Sequence, residues 1–271
     1  KDTLLQVLSN GLQGGDYHDI CIASFDNDEF EEIAVSVILA DNHAGWSILK
    51  ADPSLLSIEG SAEWDTVISG TISGSLIFDP DDWSIEIPVL IKGGNFDGDP
   101  QSEFAMAYLT ADSQDVRILV YDVSDAWEVS LLGEISDQKI SMPPEVNLCE
   151  DYLSSLYEIE CADLNGDGLD EVLLTGRNGV GDTGWEIFVN IYALDTTAAK
   201  LVSKSHTVLF SRENNAYDIG VLNIATGNFI TNEKKHGVVG FFQYCPEAYS
   251  GLPADTISYT LIPFEANESL N

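Results

Sequence analysis

An all-β repeat fold is what this 271-residue sequence predicts, and three observations predict it. Short runs rich in β-branched and aromatic residues recur between turns of Gly, Asp and Asn. One acidic loop pattern returns at nearly constant steps, which is the mark of a repeat architecture. No long run spaces its apolar residues with a helical period.

The clearest loop is Asp163-Leu-Asn-Gly-Asp-Gly-Leu-Asp-Glu171. Oxygen-bearing side chains stand at Asp163, Asn165 and Asp167, the chain is expected to turn at Gly168, and Glu171 closes the set. A hard cation such as Ca2+ takes six to eight oxygens at about 2.3–2.6 Å from a loop curled around it. Three alternate side chains, the Leu169 carbonyl and a closing carboxylate can supply them. The loop is shorter than an EF-hand and its flanks read as strands, so a calcium loop within a β-hairpin is expected.

Aligned on the closing carboxylate, Asn95, Asp97, Asp99, Gln101 and Glu103 repeat the pattern, and Ser24, Asp26, Asp28, Phe30 and Glu32 repeat it again. Pro100 and Glu29 stand where the third copy has Gly168. The competing reading at every copy is a hydrogen-bonded turn without metal, because Asp, Asn and Gly favour turns for local reasons. Asn228-Phe229 begins a fourth copy, but Ile230, Lys234, Lys235 and His236 then replace the acids, so this loop is expected to be metal-free.

The loops start at residues 24, 95, 163 and 228, giving steps of 71, 68 and 65. The 23 residues before the first loop and the 44 from the start of the fourth to the C-terminus together make one more period. One repeat domain over residues 1–271 follows, a β-propeller of four-stranded antiparallel blades, as a small closed ring or an arc of a larger propeller. In each repeat one strand enters the loop and one follows it, for instance Glu32–Leu39, Phe104–Tyr108, Val172–Thr175 and Val238–Phe242. A second follows at Gly45–Leu49, Val116–Tyr121, Trp185–Tyr192 and Ile257–Ile262. A third is expected at Leu55–Ile58, Val129–Leu132 and Lys200–Val202. Leu4–Leu8 from the N-terminus is expected to supply the outer strand of the last blade, which removes an open sheet edge.

The motif at Asp163–Glu171, with weaker copies at steps of about seventy residues, resembles the FG-GAP or VCBS repeat family of integrin α-subunit propellers and many bacterial surface proteins. The resemblance implies a Ca2+-binding hairpin loop between the inner strands of each blade. It also implies a secreted or cell-surface protein used in recognition or adhesion. Members commonly have about seven blades, and this chain has room for four. Further blades or a partner chain could therefore complete the ring.

Composition narrows the partners. With 46 acidic residues against 11 Lys and Arg, the formal charge is −35, which repels nucleic acid and anionic lipid. No run of about eighteen apolar residues marks a spanning helix, so direct membrane insertion is not expected. The four cysteines, Cys21, Cys149, Cys161 and Cys245, form no C-x-x-C pair. Cys149 and Cys161 are close enough in sequence to bridge, and buried free thiols are the alternative.

Other chemistry finds little support. Gly179-Val-Gly-Asp-Thr-Gly184 matches G-x-G-x-x-G but leads into a strand, so it reads as a hairpin and not as a pyrophosphate cradle at a helix N-terminus. Asp79, Asp81 and Asp82 beside Trp83 resemble paired carboxylates with a sugar platform, but also any solvated acidic turn. The histidines lie far apart in sequence. Trp46 and Trp185 recur in register and read as packing between blades.

A non-enzyme is therefore expected: a calcium-binding recognition or adhesion module whose protein or glycan ligand is met by variable segments such as Asp65–Asp82 or Asp137–Asp151. The alternative is a carbohydrate-active enzyme, a polysaccharide lyase or hydrolase, on a propeller scaffold.

Overall fold

A computed structural model describes residues 18–26, 28, 30–38, 43–51, 64–75, 89–110, 115–137, 155–180, 184–213, 218–227, 236–245 and 256–265. Every regular element among these residues is a strand, and the strands form antiparallel sheets in chain order. The first blade holds β1 (His18–Ala23), β2 (Glu32–Ile38), β3 (His43–Ala51) and β4 (Trp64–Ser75). The second holds β5 (Leu90–Gly94), β6 (Glu103–Leu109), β7 (Val116–Val123) and β8 (Val129–Asp137). The third holds β9 (Ser155–Ala162), β10 (Glu171–Val180), β11 (Gly184–Asp195) and β12 (Lys200–Glu213). The fourth shows β13 (Asp218–Gly227), β14 (His236–Cys245) and β15 (Thr256–Glu265). The first strands of successive blades touch, β1 to β5, β5 to β9 and β9 to β13. This is the blade arrangement of a β-propeller.

Strand β6 shows why the blades stack. Its sequence, EFAMAYL, is buried along its whole length, as a strand covered on both faces must be. Side chains alternate across a strand, and here Phe104, Met106 and Tyr108 pack toward the first blade while Ala105, Ala107 and Leu109 pack toward the third. The three hydrophobic clusters accordingly lie between blades 1 and 2, 2 and 3, and 3 and 4. Between the first two, Trp46 lies 5.1 Å from Phe104 and 6.1 Å from Tyr121, ring centre to ring centre. Trp46 thus packs between blades, as its recurrence suggests. Between blades 2 and 3 the buried Tyr192 hydroxyl donates to Asp137 and accepts from Asn190, whose Oδ1 lies 2.6 Å from His206 Nδ1.

Several boundaries differ from the sequence reading. Residues 64–75 form strand β4, so the segment Asp65–Asp82 is not a free ligand loop over that span; the hydrogen-bonded partner of β3 is here and not at Leu55–Ile58. Residues 4–8, 55–58, 79–83, 138–151 and 267–269 lie outside the described residues, as do Cys149 and the lysines of the fourth loop. The G-x-G-x-x-G segment closes a hairpin, with Val180 paired to Gly184. Cys21 and Cys161 are free thiols.

A Cβ added at Gly70 would lie 2.5 Å from Trp46 Cζ2 and 2.7 Å from Cε2. The indole cannot retreat, because Phe104 and Tyr121 stand behind it. Gly70→Ala should lower unfolding free energy by about 1–3 kcal/mol, as overpacking does, and a denaturant midpoint measures it.

Candidate functional site

Each acidic loop begins where an innermost strand ends and returns at the next strand. Three contacts recur in all three described copies. The closing glutamate is buried, and its Oε2 accepts the N–H of the loop's second residue: Phe25 to Glu32 at 2.9 Å, Phe96 to Glu103 at 2.5 Å and Leu164 to Glu171 at 2.8 Å. The third residue's Oδ1 accepts the N–H of the fifth, at Asp26 to Asp28, Asp97 to Asp99 and Asn165 to Asp167. The fifth in turn accepts from the seventh, Phe30, Gln101 and Leu169. These turns aim the second carboxylate oxygens inward. The shared left-handed position is Gly98 (φ 87°) and Gly166 (φ 84°), the loop's fourth residue. Gly168 also has positive φ, but it is not the common turn glycine that the sequence suggested, so Pro100 at its counterpart does not break the loop.

The three loops differ in what faces the closing carboxylate. In the second loop, carboxylate oxygens of Asp97, Asp99, Glu103 and Asp122 lie within 4.8 Å of one another. Glu103 is fully buried, yet its Oε1 has no hydrogen-bond partner. Burial, and then the charges of Asp97, Asp99 and Asp122, push the Glu103 carboxyl up to about 8 against the pull of the Phe96 N–H. An ion with ligands at about 2.3–2.6 Å touches atoms up to about 5 Å apart, so this cluster fits a divalent cation. Bound Ca2+ would supply positive charge to the four carboxyl groups and a partner to Glu103 Oε1.

In the first loop, Asp26, Asp28 and Glu32 gather in the same way, but the Lys50 ammonium occupies the cluster. It bonds Asp26, lies 2.5 Å from Asp28 Oδ2 and is 3.6 Å from Glu32 Oε1. Burial alone would lower this ammonium, yet its hydrogen bonds to Asp26 and Asp28 hold it above the usual lysine range. Trp127, a non-glycine residue at φ 59°, sets its ring 5.5 Å from the Lys50 nitrogen. The Ser24 hydroxyl donates to the Asp26 carbonyl.

In the third loop, Asp163 spends both oxygens on the N–H groups of Gly166, Asp167 and Gly168. The Asn165 amide nitrogen reaches Asp167 Oδ2 at 3.0 Å and Glu171 Oε1 at 2.6 Å. The Asp167 N–H lies nearer to Asn165 Oδ1, at 2.8 Å, than to Asp163 Oδ1, at 3.2 Å, which matches an amide oriented with its nitrogen toward the acids. Burial, followed by the neighbouring acids, pushes Glu171 up to about 7. Among the described loops, the second is therefore the one whose acids gather around a closing oxygen, Glu103 Oε1, that has neither a hydrogen bond nor an ion pair among the described residues.

A second polar group, not singled out from the sequence, lies where the innermost strands meet. Asp19 of β1 accepts the N–H of Ile91 on β5 at 2.8 Å. Lys92 of β5 pairs with Glu160 of β9 at 2.7 Å. Thr226 of β13 reaches Glu160 at 3.5 Å. Burial, then the charge of Asp19, pushes Glu158 of β9 up to about 7. Alternation of Glu158, Glu160 and the apolar Ile159 was the available signal, but only the blade contacts show that four strands contribute.

No family model matches the sequence, and no curated protein matches it. Among solved structures, the chain is similar to a Bombyx mori GH32 β-fructofuranosidase with bound sucrose, at 11% identity and a TM-score of 0.35, over 99% of this chain and 67% of that one. The expectation of a non-enzyme is corrected on this point: this neighbour is an enzyme, and a blade arrangement by itself does not exclude catalysis.

Glu158 carries a pH dependence. Its carboxyl is raised in the folded state above the usual 4.5, so the stability it contributes is complete at low pH and is lost as pH rises toward 7. Glu158→Gln should flatten that decline and leave the variant more stable at pH 7.5 by about 1–2 kcal/mol after allowance for partial exposure. Melting curves from pH 4.5 to 8 measure the difference.

Proposed function

We propose that the chain is a calcium-binding propeller of the FG-GAP or VCBS type, secreted or displayed at a cell surface, whose loops use Ca2+ to hold the rim and which engages a glycan or protein ligand. The observation that carries the proposal is the second loop, where Asp97, Asp99, Glu103 and Asp122 converge around a buried Glu103 oxygen with no partner. Repulsion among these carboxylates destabilises the metal-free protein, and a cation that binds only the folded state stabilises it by mass action.

Of the two uses for such a scaffold, recognition and carbohydrate chemistry, the axial group favours the second. A general acid needs a carboxyl that keeps its proton near neutrality, and Glu158 has the burial and acidic neighbours that produce one. Lys92 and Asp19 hold adjacent charge in place across strands β1, β5 and β9. Perturbed carboxyls of this kind cluster at functional sites. In this reading Glu158 donates a proton to a glycosidic oxygen. The partners would be glycans, consistent with a surface too acidic for nucleic acid.

Two experiments test the proposal. Calorimetric titration of chelator-stripped protein with CaCl2 should show binding and a raised melting temperature, and Glu103→Gln should remove one ion; heat flat to millimolar calcium would reject the calcium reading. Release of reducing ends or unsaturated products from a polysaccharide panel should fall at least tenfold in Glu158→Gln, while binding to the same glycans with no turnover would leave the recognition reading.

A further inference from the structure

The pairing across each hairpin places a different residue beside each closing acid. Ile33 pairs with Leu49, so the next step sets Lys50 beside Glu32. Phe104 pairs with Tyr121, which sets Asp122 beside Glu103. Val172 pairs with Tyr192, which sets Ala193 beside Glu171. In the fourth blade His236 replaces the closing acid and pairs with Glu265. One position, the cross-strand neighbour of the closing residue, thus carries a cation, an acid, a neutral residue and an acid in turn. Directly opposed side chains are close enough to interact strongly.

We propose that this cross-strand position selects the cation of each loop, with Lys50 serving as a tethered cation that keeps Ca2+ out of the first loop and Asp122 serving as an added ligand in the second. The inference rests on the calcium reading of the second loop and assigns which loops the ion enters. Lys50 is held by both blades. Three carboxyl groups of the first loop lie within 3.6 Å of its nitrogen, and the Trp127 ring from the second blade is 5.5 Å away. A divalent ion entering the first loop has to displace an ammonium that already bonds Asp26 and Asp28 and lies 3.6 Å from Glu32 Oε1, and the displaced nitrogen would face the ion at close range. In the second loop the same register adds negative charge: Asp122, tied to Ser130 by a 3.3 Å hydrogen bond, turns toward Asp97 and Asp99. Charge count and ligand number set affinity in such loops. The lysine also joins blades. Its stem belongs to β3, its charge to the first loop and its aromatic contact to the turn after β7. The first blade junction is therefore fixed without metal, while the second loop waits for its ion.

The test is calorimetric counting of Ca2+ on chelator-stripped protein, with melting temperatures taken in chelator and in excess calcium. Lys50→Met should bind one more Ca2+ than the parent protein, and Asp122→Lys should bind one fewer. Asp28→Asn in the parent should leave the number unchanged. In chelator Lys50→Met should melt lower than the parent, and adding Asp28→Asn to it should restore part of the loss, because an unopposed acid is removed. Loss of one ion in Asp28→Asn overturns the proposal, as does an unchanged number in folded Lys50→Met. A parent that binds no calcium at all rejects the calcium reading instead. The chelator melts then decide the tethered-cation role alone, and no recovery in the Lys50→Met/Asp28→Asn double variant overturns it.

Discussion

A buried glutamate that closes each loop is the constraint on which the rim depends. Glu32, Glu103 and Glu171 are almost wholly removed from water, and a carboxylate in that position is costly unless its oxygens find donors or a cation. One oxygen is handled identically in the three described loops, by the N–H seven residues back. That bond fixes the loop's entry against its exit, so the apolar second residue, Phe25, Phe96 or Leu164, turns inward to the core. The other oxygen meets three settings: an ammonium 3.6 Å away without a hydrogen bond at Glu32, no partner among the described residues at Glu103, and an amide hydrogen bond at Glu171. Loop geometry is conserved across blades while loop chemistry diverges.

The loops also tie blades together directly. Ser102 of the second loop donates its N–H to the Ser24 carbonyl of the first at 2.7 Å, and Asp170 of the third donates to the Asn95 carbonyl of the second at 2.6 Å. Both bonds join the eighth residue of one loop to the first residue of the loop before. Asp170 doubles its link by accepting the Asn95 N–H. On β5, Gly93 and Gly94 let the strand approach its neighbours closely: a Cβ at Gly93 would sit 2.7 Å from Ala23 Cβ, and one at Gly94 2.9 Å from Cys161 Cβ. Rim bonds and close inner strands therefore set the same spacing from two levels.

The loop pattern was legible because its constraints are local. Alternate oxygen positions, the apolar second residue and the closing acid each act within nine residues, and all three described copies fold alike. The strands that follow the loops were legible for the same reason. What could not be read was anything decided across strands. The third loop has the fullest motif, yet Asn165 and Asp163 satisfy their neighbours internally, while the second, with Pro100 in its turn, leaves Glu103 Oε1 without a partner. Lys50 lies eighteen residues after Glu32 in sequence and meets it only through the β2–β3 register. Strand β4 was missed because its alternation is carried by Thr, Ser and Gly, which also read as a loop.

The rim and the axis are parts of one mechanical unit. Glu158 and Glu160 stand on β9, which runs directly into the loop that starts at Asp163, and Lys92 stands on β5, which runs into the loop that starts at Asn95. Any shift of β5 along β9 would separate Lys92 from Glu160, and the bonds that oppose such a shift are those of Asn95 with Asp170. Asn95 opens the loop that contains the buried Glu103 oxygen without a hydrogen-bond partner. In the calcium reading proposed above, mutual repulsion of Asp97, Asp99, Glu103 and Asp122 would work against this register until a cation drew the same acids together. Bound at the rim, that cation would act on the axial charges through the position of β5, without touching them.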